Sequence, residues 1–211
     1  MTNTESTIGR IREEKIIAIV RGVRADIVTM IAEALYAGGI RLLEITCNTP
    51  GVIEIIKEIT RTMNGRMLIG AGTVISKDLA EKAICAGAKF ALAPDVNPEV
   101  IKCCLANDIA IIPGAMTPTE ILYARRLGSQ MIKVFPAGAL GTAYIEQIRG
   151  PIDDVDLIAV GGIDGDNISS FINAGCIGVG LGSSLIRKDL VEAQDWKGLT
   201  ALAAEMKSKT G

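Results

Sequence analysis

Hydrophobic and polar positions follow two periods along this chain. Short runs rich in Val, Ile and Ala alternate with longer stretches in which apolar residues return every three or four positions. The short runs read as buried strands and the longer stretches as amphipathic helices, and their alternation is the pattern of a parallel sheet. Eight strands are predicted, over 16–22, 41–47, 67–74, 90–94, 110–114, 131–136, 157–162 and 177–182, each followed by a helix-like segment. The first of these helices reads ADIVTMIAEALYA and the last WKGLTALAAEMKSK. The leading segment, 6–15, predicts an additional helix covering the bottom of the sheet.

A weak internal repeat supports that count. In AGGIRLLEI, AGAKFALAP, LGSQMIKVF and AGCIGVGLG, a glycine closes one helix just before the next strand begins. Glycine is favoured there because the residue after a helix often turns left-handed. Repetition of one unit, with no Ser/Pro-rich linker or charge block, predicts a single domain over 1–211. The expected fold is α/β, a (β/α)8 TIM barrel with an extra N-terminal helix. A doubly wound open sheet is the alternative, but eight units without a long connection favour closure.

Composition narrows the function. At 211 residues the barrel must have lean loops, and a net charge of −2 gives no electrostatic reason to expect nucleic acid or a membrane surface as partner. One Trp, three Tyr and three Phe are too few for a base-stacking platform. The opening MTNTESTIGRIREEK lacks an apolar signal core, and five cysteines (Cys47, Cys85, Cys103, Cys104, Cys176) show no CxxC or disulfide-framework spacing. Both observations lead us to expect a cytoplasmic protein with reduced core thiols. The chain has no histidine, which excludes Ser/His and Cys/His nucleophilic pairs and His-ligated zinc. Proton transfer must fall to Glu, Asp, Lys, Tyr or water.

Two charges stand where strands should be apolar. The sixth predicted strand reads MIKVFP, with Lys133 between apolar neighbours. A buried ammonium is costly, so its pKa should fall unless a partner compensates. Lys133 is therefore either half of a buried ion pair or an amine kept partly neutral to attack a carbonyl. The second strand reads LLEITCN, so Glu44, Thr46 and Asn48 share one face. If that face is inward, Glu44 meets Lys133 as counter-ion, as proton shuttle, or as both. Arg21 ends the first strand, and Thr73 ends the third after Gly-Ala-Gly. A cation and a hydroxyl at one rim suit a substrate carboxylate, although Arg21 by position alone could equally be a solvated rim residue.

The last two strands end in glycines. The seventh closes on Gly161-Gly162 before IDGDN opens a helix, and the eighth on Gly182-Ser183-Ser184. In barrels these loops often cradle a phosphate, because glycine lets backbone N–H groups approach the oxygens. No GxGxxG follows the first strand, so a dinucleotide fingerprint is absent.

Taken in series, IVRG, LEIT, GAGTV, the strand ending in Ala-Pro94, IPGAMTPTE, IKVFPA, GGI and GLGSSL carry a resemblance over nearly the whole chain. The chain resembles the bacterial 2-keto-3-deoxy-6-phosphogluconate aldolase family, which includes 4-hydroxy-2-oxoglutarate and 2-dehydro-3-deoxy-6-phosphogalactonate aldolases. The resemblance implies Lys133 as Schiff-base lysine and Glu44 as general acid/base. It places Arg21, Thr46, Thr73, Pro94 and Phe135 around the pyruvyl portion, and Gly161, Gly162, Gly182 and Ser183 at the phosphate. It further implies a homotrimer with no metal or other cofactor, acting on a small 2-oxo acid and a phosphorylated aldehyde. Two positions depart from the gluconate-type pattern. Asn48 stands where many members carry arginine, and Val160 stands where they carry threonine; the valine, with IVRG and GLGS, is nearer the galactonate type.

Two rival readings differ in class. A metal-dependent 2-oxo acid aldolase needs at least two convergent acids, whereas Asp95 and Asp164 fall in predicted loops. A non-catalytic sugar-phosphate-binding barrel would keep the glycine loops and leave Lys133 without a role.

Overall fold

Nine short strands form one parallel sheet that curls into a nearly closed barrel, in a computed structural model describing residues 2–211. They are β1 (Ile16–Val20), β2 (Leu42–Thr46), β3 (Leu68–Gly72), β4 (Phe90–Leu92), β5 (Ala110–Ile112), β6 (Gly114–Ala115), β7 (Met131–Val134), β8 (Asp156–Val160) and β9 (Gly178–Leu181). Their order around the sheet is β5-β4-β3-β2-β1-β9-β8-β7-β6.

The count exceeds the expected eight because the predicted fifth strand, 110–114, is divided at Pro113. Its first part pairs with β4 and its second with β7. Proline has no N–H to donate to a ladder, so regular pairing stops there. Its carbonyl still accepts from the Lys133 amide at 2.9 Å, which holds the break close to β7. Helices alternate with the strands, from α2 (Ala25–Ala37) after β1 to α11 (Trp196–Ser208) at the end of the chain.

The four glycines of the repeat are left-handed, as helix closure requires: φ is +90° at Gly39, +103° at Gly87, +104° at Gly128 and +108° at Gly175. The opening helix, α1 (Asn3–Glu14), begins three residues before its predicted start. Thr2 and Glu5 form a reciprocal capping box that fixes its first turn. The helix lies across the N-terminal strand ends. Asp108, just before β5, accepts from the Asn3 and Thr4 amides at 2.7 and 3.0 Å, and Arg12 pairs with Asp156 at the start of β8 at 2.6 Å.

Ile8 and Ile11 of α1 join an apolar cluster with Ile17, Leu42, Phe90, Ile112, Met131 and Ile158. Each such side chain removed from water contributes about 1.5–3 kcal/mol. The lower interior is thus filled, which leaves the C-terminal strand ends as the place for a site. A second, larger cluster packs the outer faces of the strands against the helices.

All five cysteines are free thiols, but not all are core residues. Cys85 is exposed on α4 (Lys77–Cys85) and Cys47 is half-buried, which corrects the expectation from spacing. Among the described residues, no helix is long and apolar enough to cross a membrane.

Candidate active site

Lys133 and Glu44 occupy the buried floor of the site. Lys133 is the third residue of β7, in register with Gly114 and Ile158, and Glu44 is the third of β2, in register with Ile19 and Gly70. Their exposures are 5% and 1%. Neither takes part in a salt bridge among the described residues. The Glu44 Oε2 atom is buried without a hydrogen-bond partner, and Lys133 Nζ stands 4.6 Å from the centre of the Phe135 ring. Of the two readings of Lys133, the closed ion pair is therefore not the one observed.

Burial dominates the electrostatics of both groups. Desolvation pushes the Glu44 carboxyl up to about 7, against the pull of the Lys133 and Arg21 charges. Desolvation also holds Lys133 below the ordinary lysine value of 10.5; Glu44 opposes that shift and Arg21 adds to it. The result is an amine nearer neutrality beside a carboxyl raised into the neutral range, a pairing that marks a candidate functional site.

Gly72 makes the floor possible. A Cβ at this position would lie 1.6 Å from Glu44 Oε1 and 2.3 Å from its carboxyl carbon, so the carboxylate occupies the space a side chain would take. A glycine inside a strand marks such a close approach, and the Gly-Ala-Gly run of β3 was the available signal. Next to it Thr73, a β-branched residue, is held left-handed at φ +55°. That conformation is rare for such a residue and concentrates at functional sites. Thr46 is fully buried at the end of β2, where its hydroxyl meets Thr49 Oγ1 at 3.2 Å. Thr49 is a residue the sequence reading overlooked.

Above the floor a cleft of about 920 Å³ opens at the C-terminal strand ends. Lys133 is at its base and Arg21, Phe135 and Val160 on its walls; Gly161, Gly162, Gly182 and Ser183 lie at the far side. Its volume falls in the range of small-ligand sites. Arg21 and Phe135 are exposed to it. Glu44, Thr46 and Thr73 do not line the open cleft, and Pro94 is exposed outside it, with its carbonyl packed so close to Gly114 that a Cβ there would lie 2.5 Å away.

The far side is made of backbone. Gly161 and Gly162 take φ of +88° and +73°, and a Cβ at Gly161 would press on the Phe135 ring at 3.0 Å. The Gly161 carbonyl accepts from the Gly138 amide at 2.7 Å, which ties this loop to the segment after β7. The following IDGDN is a turn rather than a helix start. Asn167 accepts from the Asp164 amide at 3.0 Å and donates to the Gly162 carbonyl at 3.0 Å, and α9 (Ile168–Asn173) begins only after it. Ser184 donates to the Ile163 carbonyl at 2.7 Å and joins the two glycine loops, while Gly182 has open space where a Cβ would sit. Lys188, also on the cleft wall, had no signal in spacing. Among the described residues, no three His, Cys, Asp or Glu side chains gather as a metal-binding group.

A family described as KDPG and KHG aldolase matches residues 7–202. The 2-dehydro-3-deoxy-6-phosphogalactonate aldolase of Escherichia coli K12 is 34% identical over 173 residues, covering 82% of this chain and 84% of its own. The KHG/KDPG aldolase of the same strain is 34% identical over 178 residues, covering 82% of each. Among solved structures, KDPG aldolase from Legionella pneumophila, with pyruvate captured as a covalent carbinolamine intermediate, superposes with a TM-score of 0.86. It is 29% identical and covers 92% of this chain and 94% of its own.

Proposed function

Because this chain belongs to the KDPG and KHG aldolase family, and is on that ground an aldolase and a lyase, we propose that Lys133 binds a 2-oxo acid as a Schiff base while Glu44 moves the protons. The observation that carries the reading is the floor of the cleft. A buried lysine and a buried carboxyl share one interior without closing into an ion pair, directly beneath an opening wide enough for a six-carbon acid.

In the reaction, neutral Lys133 Nζ attacks the 2-oxo carbon to give a carbinolamine. Glu44 donates the proton with which water leaves, and the iminium forms. Glu44, now a carboxylate, takes the proton of the C4 hydroxyl through water, and the C3–C4 bond breaks. Its electron pair flows into the iminium, giving an enamine and a free aldehyde. Protonation at C3 and hydrolysis then release pyruvate and restore the amine.

Arg21 holds the substrate carboxylate by charge, with Thr46 and Thr73 beside it, Phe135 over the amine and Pro94 at the edge of the pyruvyl pocket. Gly161, Gly162, Gly182 and Ser183 receive the phosphate through backbone N–H groups and one hydroxyl. The substrate is then a 2-keto-3-deoxy-6-phospho sugar acid, split into pyruvate and glyceraldehyde 3-phosphate, or 4-hydroxy-2-oxoglutarate, split into pyruvate and glyoxylate. Val160 supports a second reading, 2-dehydro-3-deoxy-6-phosphogalactonate. It lines the cleft directly before Gly161 and offers no hydrogen bond where the gluconate-type pattern has a threonine hydroxyl.

The catalytic unit is one barrel domain. Counting β5 and β6 as one strand interrupted by Pro113 gives eight βα units, with α1 as the extra N-terminal helix. It works as a cytoplasmic homotrimer without metal or other cofactor, and the exposed apolar side chains of Ile75, Met116 and Tyr123 are suited to a subunit contact.

Incubation with pyruvate and borohydride, followed by peptide mass spectrometry, should give one reduced adduct on Lys133 and none in Lys133→Ala. A folded, active protein without that adduct sinks the mechanism. Turnover of the gluconate- and galactonate-type epimers, and of 4-hydroxy-2-oxoglutarate, then selects the substrate.

A further inference from the structure

Thr49 lies in the turn between β2 and α3 (Val52–Met63), is 3% exposed, and belongs to no group so far given a role in the reaction. Its hydroxyl joins two parts of the site. It accepts a hydrogen bond from the Gly22 amide at 3.0 Å, and it lies 3.2 Å from the hydroxyl of Thr46. The turn itself is fixed by the Thr49 amide, which donates to the Thr46 carbonyl at 2.9 Å. Gly22 is left-handed, at φ +62°, and directly follows Arg21. The Thr49 hydroxyl therefore fastens the loop that carries Arg21 to the end of the strand that carries Glu44 and Thr46.

Counting protons gives this link a direction. Each hydroxyl has one proton to donate. Thr49 Oγ1 already accepts from Gly22, and only one of the two threonine protons can lie between their oxygens. If Thr46 donated to Thr49, the Thr49 proton would be left over in a buried turn, at the cost of an unmade hydrogen bond. If Thr49 donates to Thr46, the proton left over is that of Thr46. It belongs to the same face of β2 as Glu44, where a substrate oxygen can accept it. Either arrangement leaves one buried donor unmade, and only the second leaves it on the face of β2 that carries Glu44, beneath the cleft, where bound substrate can satisfy it.

Resting on the Schiff-base reading above, we infer that Thr49 is a positioning residue: it sets Arg21 through the Gly22 amide and turns the Thr46 hydroxyl proton toward the carboxylate of the bound 2-oxo acid. Thr49 touches no substrate atom. Its removal weakens capture of the carboxylate and leaves the chemical step alone.

The test is borohydride trapping of pyruvate on Lys133 as a function of pyruvate concentration, in the full-length protein. Thr49→Val keeps the shape and removes the hydroxyl, so the pyruvate concentration for half-maximal trapping should rise roughly three- to tenfold. The trapping rate at saturating pyruvate and its pH profile should stay within about twofold of wild type, since one hydrogen bond to the carboxylate does not alter the amine. Thr49→Ser restores the hydroxyl and should bring half-saturation back to within about twofold of wild type. If Thr49→Val folds too poorly to assay, Thr49→Cys against Thr49→Ser makes the same comparison, because a thiol is a weak donor and acceptor. Unchanged half-saturation in Thr49→Val or Thr49→Cys overturns the inference, as does a loss of saturating rate without a change in half-saturation. In both of these outcomes wild type still carries the adduct, so the Schiff-base reading survives. No adduct on wild-type Lys133 instead sinks that reading and this inference with it.

Discussion

The floor of the cleft and its far rim are built on opposite principles. At the floor the working groups are side chains, each fully buried and each displaced from its ordinary pKa by loss of water. At the rim, on the proposed function, they are backbone amides and one exposed hydroxyl, helped by Gly161 and Gly162, whose left-handed φ no other residue adopts easily. The floor is crowded to the point that Gly72 has no room for a methyl group, whereas Gly182 faces open space. Burial tunes proton affinity, which a reaction needs, and it requires exact fit. Backbone donors in an open loop offer fixed dipoles at low desolvation cost, which is enough to hold an anion. Errors at the floor should therefore cost turnover, and errors at the rim should cost affinity for one part of the substrate.

The largest effect expected from a single methyl group is at Gly72. Its Cβ would stand 1.6 Å from Glu44 Oε1 and 2.6 Å from Glu44 Cγ, so Gly72→Ala must move the whole carboxylate. Displacement of a catalytic group by about 1 Å costs on the order of a hundredfold in rate. Steady-state kinetics should show that loss in kcat, with the circular dichroism spectrum unchanged because the displaced atoms are a side chain. A kcat within twofold of wild type would mean that the Glu44 carboxylate need not occupy this niche.

Much of the floor was legible in the sequence, because a charge inside an apolar run needs no long-range knowledge to be noticed. The buried placement of Lys133 and Glu44 was read that way, and that of the helix-closing glycines from their position ahead of strands. What escaped depends on contacts across strands. The fit of Glu44 over Gly72 joins β2 to β3, and the Thr49 link joins the loop after β1 to the turn after β2; neither follows from spacing along one segment. Other misses had a local signal. Pro113 stands inside the predicted fifth strand and marks its division, and the Thr2-x-x-Glu5 pattern marks the true start of α1. The rim was legible only as glycines at the ends of adjacent strands. The turn made by Asp164 and Asn167 depends on side-chain bonds to backbone that propensity does not resolve.

The floor's second signature is its response to pH. Folded Glu44 titrates near 7 against an ordinary value of 4.5, because burial disfavours the carboxylate. A group raised in the folded state stabilises the fold fully below its unfolded pKa, and that contribution is lost as pH rises through the folded value. Wild type should therefore lose stability between about pH 4.5 and 7 relative to Glu44→Gln, which has no such proton to release. The shift is worth roughly 3 kcal/mol. Urea denaturation of both proteins at pH 5 and pH 8 measures it, and parallel behaviour at the two pH values would show that Glu44 is not desolvated in this way. Turnover by Glu44→Gln should fall roughly a hundredfold or more, since an amide cannot shuttle protons.

The smallest effect belongs to the rim, and it sharpens the contrast most. Ser183 is exposed on the wall of the cleft, and in the proposed function its hydroxyl would give the phosphate one hydrogen bond among several from the backbone. Ser183→Ala should raise KM for a phosphorylated substrate by roughly three- to tenfold and leave kcat nearly unchanged. The same variant should trap pyruvate on Lys133 as readily as wild type, because pyruvate does not reach the rim. It should also cleave 4-hydroxy-2-oxoglutarate, which has no phosphate, with an unaltered KM. If KM rises equally for both substrates, the rim is not a phosphate site, and the division between a floor that reacts and a rim that holds fails at its outer half.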